Sequence, residues 1–275
     1  DFKSDIDLKN KFKSYNWNTI KINGHKFDEE LLRRQFYWYL LDPYLTNTNN
    51  NGRADMYVLF QLLANFYSDE IRTGKNENGD LSLKLSDLAE ANGISSEGAH
   101  DALEDCILMV ELGKIIKDKA PEAWKIFIQG SSKKGNLDIL RSEKFCLMGE
   151  VVRRNKYVYP IYPCGQNKSN QNQIIVCDLY FNPEELFNLK DHELLEQLGT
   201  QGGAFKLVSI NKSMPIVPLH TVSRPSSYLD LSIKELTRRA LLIKENFEFS
   251  ERLSELLLKK QKIYPPPKYV DQAIY

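Results

Sequence analysis

Two short stretches carry side chains that could do chemistry together, Phe27-Asp28-Glu29-Glu30 and His100-Asp101-Ala102-Leu103-Glu104-Asp105. Carboxylates that hold a divalent metal, with an imidazole beside them to take a proton from water, are the parts of a metal-dependent hydrolytic site. His100 and Asp105 stand five positions apart, which on a regular helix separates them by about 140°. They can face one groove only if the helix begins at Asp101 or Ala102 and leaves His100 on the entering turn. Each motif also has a purely structural account. Asp101 reads as an N-cap, Asp105 as a solvated carboxylate and His100 as a surface histidine, while Asp28 before a helix is a preferred cap contributing about 1 kcal/mol. Taken alone, either motif is open between the two accounts.

A second kind of chemistry is offered by Arg153-Arg154-Asn155-Lys156-Tyr157-Val158-Tyr159, which interleaves cations with aromatic rings. Single-stranded nucleic acid is held by such a mixture, the cations tracking phosphates and each stacked base contributing roughly 1–3 kcal/mol. As a β-hairpin, the run sets Arg154 and Lys156 on one face with Val158, and Arg153, Asn155, Tyr157 and Tyr159 on the other. The alternative is a solvated edge strand protected by its charges. Lys133-Lys134 is a weaker cationic candidate. Cys106, Cys146, Cys164 and Cys177 have no metal-ligand spacing, which argues against a zinc site or a disulfide framework. His25, His192 and His220 read as surface or hydrogen-bonded structural residues.

The elements that must position these residues change character along the chain. Leu31, Leu32, Phe36, Tyr39 and Leu40 predict a helix from just after Asp28 to Asp42-Pro43, so that Asp28 sits at a helix mouth. Tyr37, Trp38 and Tyr39 on it read as core packing. Met56, Leu59, Phe60, Leu63 and Phe66 predict a second helix, and a loop is expected over 73–80. Leu85, Leu88 and Ala89 predict a short helix closed by Asn92-Gly93, with Gly at the left-handed C′ position. Ala102, Leu103, Cys106, Ile107, Val110 and Leu112 form the stripe of a longer helix reaching about Lys119. The small, basic run Gly130-Ser131-Ser132-Lys133-Lys134-Gly135 reads as a linker between a domain at 1–130 and another at 136–275. Beyond it, β-rich runs at 145–148, 157–159, 173–177 and 204–210 suggest a small barrel or sandwich. Helices are expected at about 232–246 and 250–263, before an extended Pro265-Pro266-Pro267.

At 275 residues and 42% hydrophobic, the chain can fill the cores of two modest domains. Its 37 basic and 37 acidic residues cancel, so a polyanion has to be attracted by a local cluster. No apolar run approaches the roughly 18 residues a membrane span needs, and no leader is apparent. A membrane partner is not expected, and the cytoplasm is the expected setting.

The stretch Leu85-Ser86-Asp87-Leu88-Ala89-Glu90-Ala91-Asn92-Gly93-Ile94, followed by Gly98-Ala99-His100-Asp101-Ala102-Leu103-Glu104-Asp105, closely resembles the bacterial exonuclease I family of DEDDh exonucleases. Further segments resemble it in the same order: Phe27-Asp28-Glu29-Glu30, Phe36-Tyr37 with Asp42-Pro43-Tyr44, Arg53-Ala54-Asp55-Met56, Lys206-Leu207-Val208-Ser209-Ile210-Asn211-Lys212 and Val270-Asp271-Gln272-Ala273-Ile274-Tyr275. The resemblance implies an α/β fold: an incomplete ribonuclease H-like exonuclease domain, then an SH3-like β-barrel domain with appended helices. It implies 3′→5′ degradation of single-stranded DNA to 5′-mononucleotides, in DNA repair or recombination, by a monomer. Asp28 and Asp105 match metal-binding aspartates for two Mg2+ (or Mn2+) ions, and His100 matches the general base. Arg153, Arg154, Lys156 and Tyr157 are the candidate DNA-binding residues. Arg224 and Lys244 resemble residues that bind the acidic, apolar-ended tail of single-strand DNA-binding protein.

The chain departs from the family pattern in one respect. The family's Asp-x-Glu motif lies well upstream of the position of Asp28, and only 27 residues precede it here. Asp28-x-Glu30 and Asp191-x-Glu193 have the spacing, but the first already serves as the second motif and the second lies in a Leu-rich stretch of the other domain. The chain is therefore expected to be an internal segment with little or no cleavage activity of its own. Two other readings stand beside this one: a non-catalytic module binding single-stranded DNA or the protein tail, and an RNA-directed enzyme, against which the second domain argues.

Overall fold

The computed structural model describes residues 33–45, 54–96, 102–141 and 144–260. Contacts divide the chain into two compact units, residues 1–53 with 264–275, and residues 54–263. Asp28, His100 and the triple proline lie outside the described residues.

In the first unit residues 33–38 are helical. The chain then reverses at Leu40, whose φ is 57°, and Tyr44 N–H donates to Asp42 Oδ1 at 2.8 Å. Tyr37, Trp38 and Tyr39 are not core residues: they are 37%, 60% and 74% exposed.

The second unit opens with α1 (Met56–Phe66), whose N-cap Asp55 accepts from Tyr57 N–H at 2.9 Å. Its periodic apolar residues bury Leu59, Phe60, Leu63 and Phe66, as the 3.6-residue repeat requires. The stretch expected to be a loop holds β1 (Gly74–Lys75), which pairs antiparallel with β2 (Leu81–Ser82) just beyond it. Next, α2 (Leu85–Ala91) ends at Asn92, and Gly93 takes φ 82°, the left-handed conformation that terminates a helix at least cost in glycine. Helix α3 (Ala102–Lys119) follows. It buries Leu108, Val110, Leu112 and Ile116 but leaves Leu103 at 38% exposure, so the apolar stripe covers its C-terminal turns better than its first.

Pro121 does more than stop α3. It occupies the first turn of α4 (Pro121–Gln129), where its missing N–H has no intrahelical partner to lose. The run that reads as a linker is then a correction: Lys133 and Lys134 begin α5 (Lys133–Arg141). Buried Asn136 in α5 donates to the carbonyls of Ile210 and Lys212, both at 2.8 Å, so this helix is sewn to the β-rich half.

That half is an antiparallel sheet of β3 (Cys146–Val152), β4 (Asn155–Gln166), β5 (Gln173–Asp178), β6 (Phe205–Ser209) and β7 (Ile216–Pro218), in the order β6-β5-β4-β3-β7. Helices α6 (Pro183–Phe187) and α7 (Asp191–Gln197) connect β5 to β6, and α8 (Ile233–Glu245) and α9 (Phe247–Lys260) follow β7. The expected barrel does not close. Strand β7 is three residues long and spends its pairing on Cys146–Met148 of β3, and no described pairing joins it to β6. Among the described residues no helix is long and apolar enough to cross a membrane.

Candidate nucleic-acid interface

Strands β3 and β4 are joined by two residues, Arg153 and Arg154, between the paired Val152 and Asn155. Both have positive φ, 49° and 68°. A two-residue hairpin with left-handed backbone at both positions suits the sheet's twist, and Asn or Gly normally fills it. A larger residue there costs about 1–2 kcal/mol. This geometry corrects the expected alternation of the two arginines between the strand faces. They form the tip itself and project beyond the paired strands. Behind them the alternation holds, with Lys156 on the side of Val158 and Tyr157 on the side of Tyr159.

The tip is anchored on one side. The Arg154 guanidinium donates to the Asp80 carboxylate, with the two side chains 57% and 48% exposed. Asp80 lies just before β2 and is braced by Asn76, whose Oδ1 accepts from Asp80 N–H at 2.8 Å and whose amide donates to Asp80 Oδ2 at 3.3 Å. On the strand face, the Tyr157 and Tyr159 rings run parallel, with centroids 6.4 Å apart and planes 6° from parallel. Lys206 Nζ sits 4.3 Å from the Tyr159 ring centre and 3.4 Å from Glu150 Oε2. Burial raises the Tyr159 hydroxyl pKa, and the charges of Glu150 and Asp178 add to the effect. Tyr157, 42% exposed, offers its ring to a ligand.

The opposite side of the hairpin rests on α1. Strand β7 stops pairing at Met148, with one further bond from Gly149 N–H to the Pro215 carbonyl at 2.8 Å. Beyond that point two α1 side chains take over the exposed strand edge. Gln61 Oε1 accepts from Val151 N–H at 3.1 Å, and Asn65 Nδ2 reaches the Glu150 carbonyl at 3.5 Å. Lys156 pairs across from Val151, and partial desolvation moves its ammonium pKa below the usual lysine value. Gly149 makes this approach possible: a Cβ there would lie 2.6 Å from the Phe66 ring and 2.9 Å from Asn65 Cβ.

Of the candidate hydrolytic residues only Asp105 is described. It lies in the first turn of α3, partly buried and beside Glu104, where the positive end of the helix dipole favours a carboxylate. The described part of this helix begins at Ala102. Among the described residues no group of three or more His, Cys, Asp or Glu side chains could hold a metal ion. Asp191-x-Glu193 is structural: Asp191 pairs with Arg252 at 2.7 Å, and Glu193 caps α7 by accepting from Lys190 N–H at 2.7 Å. Arg224 is exposed with φ 55°, at the entry to the turn Pro225–Tyr228. Lys244 is exposed in the last turn of α8. His192 lies on α7 and His220 in the turn Leu219–Thr221. The four cysteines are free thiols, and burial pushes those of Cys164 and Cys177 up, which keeps them unreactive.

Sequence reasoning missed Asp80, Gln61, Asn65, Glu150 and Lys206 around the hairpin. The Gln61 and Asn65 pair was readable as a polar i, i+4 edge on an otherwise apolar helix. Nothing local marks Asp80.

Comparisons with known proteins bear on this arrangement. A family model for the exonuclease I SH3-like domain matches residues 148–259. Exodeoxyribonuclease I of Haemophilus influenzae is 24% identical over 270 residues, covering 91% of this chain and 56% of that protein. Among solved structures, E. coli exonuclease I in complex with a dA16 oligonucleotide aligns with a TM-score of 0.72 at 23% identity, covering 90% of this chain and 56% of that one. A crystal structure of SSB/Exonuclease I in complex with an inhibitor aligns at 0.68 and 22% identity, over 91% and 54%. At these identities the structural likeness is one of fold. The chain spans just over half the length of the relatives it matches.

Proposed function

Because the chain belongs to the exonuclease I family and carries its SH3-like domain, we propose that it is the part of a 3′→5′ exodeoxyribonuclease that grips single-stranded DNA and supplies Asp28, His100 and Asp105 to hydrolysis. The observation that carries this reading is the strained Arg153-Arg154 tip backed by the open Tyr157 ring. Guanidiniums at a projecting turn suit phosphates, and an exposed ring suits a base. Exposed Lys156 adds a third cation to the same hairpin.

In this reading Asp28 and Asp105 would hold magnesium or manganese ions, which would supply water activation and charge stabilisation for release of a 5′-mononucleotide, and His100 would serve as the proton acceptor. Exposed Arg224 and Lys244 are proposed to receive the acidic tail of single-strand DNA-binding protein, a reading supported by the SSB/Exonuclease I structure of similar fold. A cytoplasmic monomer acting in DNA repair completes the proposal.

A second reading, a non-catalytic module binding single-stranded DNA, rests on the hairpin tip and the Tyr157 ring alone, without the hydrolytic residues. The two are separated in the full gene product. There His100→Ala is expected to keep magnesium affinity by calorimetry while losing about 10²- to 10⁴-fold in turnover, and Asp105→Asn is expected to weaken the metal itself. Unchanged cleavage of labelled single-stranded DNA in both variants would leave the binding module as the better reading.

A further inference from the structure

We infer that Asp80 is a specificity-determining residue that competes with an incoming phosphate for Arg154; the inference rests on the reading of the hairpin tip as a DNA grip. Arg154 holds a carboxylate supplied by a different hairpin, 74 positions away in sequence. Asn76 donates to that carboxylate at 3.3 Å and accepts from the Asp80 backbone N–H at 2.8 Å, so the carboxylate does not simply follow the arginine. Both partners are about half exposed, and an exposed pair of this kind is weak enough to exchange. A phosphate oxygen offers a guanidinium the same acceptor geometry as a carboxylate oxygen. The strand therefore either takes Arg154 from Asp80 or lies against the Asp80 charge, and each case costs affinity.

The consequence is selection for length. A single phosphate gains one guanidinium and must displace one carboxylate, with little net advantage. A strand that also meets Arg153, Lys156 and Tyr157 recovers the cost through the other contacts. Asp80 thus tunes the tip against mononucleotides, the product of the proposed reaction, and in favour of polynucleotide.

The test is fluorescence anisotropy of a labelled oligothymidylate with the chain, across a salt series. Asp80→Asn, which keeps the shape and the Asn76 contact, is expected to tighten binding about 2- to 5-fold and to steepen the salt dependence by about 0.7, one further phosphate contact on a single strand. Asp80→Ser serves as a second variant with the same expectation. Inorganic phosphate is expected to inhibit the Asp80→Asn protein at lower concentration than the wild type. In an Arg154→Ala background the gain from Asp80→Asn is expected to vanish. A gain that persists without Arg154, or no gain while Arg154→Ala alone weakens binding, overturns the competition and leaves the DNA grip standing. If Arg154→Ala does not weaken binding at all, the grip itself fails and the competition with it.

Discussion

At the scale of single residues, the interface is decided by what each side chain can still reach. Tyr159 is engaged from above by Lys206 and from the side by Tyr157, so Tyr157 is the ring left for a base. Tyr157→Ala is expected to weaken oligothymidylate binding by about 1–3 kcal/mol with little change in the salt slope, because a ring releases no counterion. Tyr157→Phe should bind as the wild type does. The candidates at this scale were visible in sequence because Arg153 to Tyr159 mixes cations and rings within seven residues. Their geometry was not visible, because a left-handed two-residue turn is normally announced by Asn or Gly and here it is made of two arginines. Asp80 was invisible for a different reason, since an ion pair spanning 74 positions leaves no local pattern.

At the scale of elements, the hairpin depends on how closely α1 lies against β3. Gly149→Ala would press a methyl group into the Phe66 ring and the Asn65 side chain. It is expected to destabilise the chain by about 1–3 kcal/mol, read as a lower melting temperature, and to loosen the Gln61 and Asn65 bonds that hold the strand edge. Burial on β5 offers a pH test. Burial raises the Asp178 pKa above its usual 3.8, with the Tyr180 N–H bond and Lys206 opposing the shift. The folded protein therefore keeps this proton to a higher pH than the unfolded chain, and stability is lost as pH rises from 3.8 through the raised value. Asp178→Asn cannot titrate and retains an oxygen for Tyr180 N–H. Its melting temperature is expected to exceed that of the wild type at pH 7, with the difference shrinking towards pH 3. Most elements were readable from periodicity, including the Gly93 stop and the body of α3. Helix α5 was not, because Gly135 and its serines look like a linker. A Cβ at Gly135 would sit 1.8 Å from the Gln129 carbonyl oxygen, so this glycine serves close packing rather than flexibility.

At the scale of the whole molecule, 37 positive and 37 negative charges give no general attraction for DNA, and any affinity must come from a local array. The open sheet supplies one by carrying its longest hairpin past the end of β7, where α1 side chains secure the edge and the two arginines form the tip. The β-rich runs suggested a small barrel or sandwich and the family resemblance implied an SH3-like domain, but closure into a barrel could not be judged from the runs, since it depends on the length and pairing of β7. The most direct measurement is binding of a labelled oligothymidylate by this chain over a salt series, comparing wild type with Arg153→Ala/Arg154→Ala. The expected result is weaker binding by the double variant, with the slope of log affinity against log salt reduced by about 1.4, two phosphate contacts on a single strand. Equal affinity and equal slope would contradict the assignment of the hairpin tip as the grip on DNA.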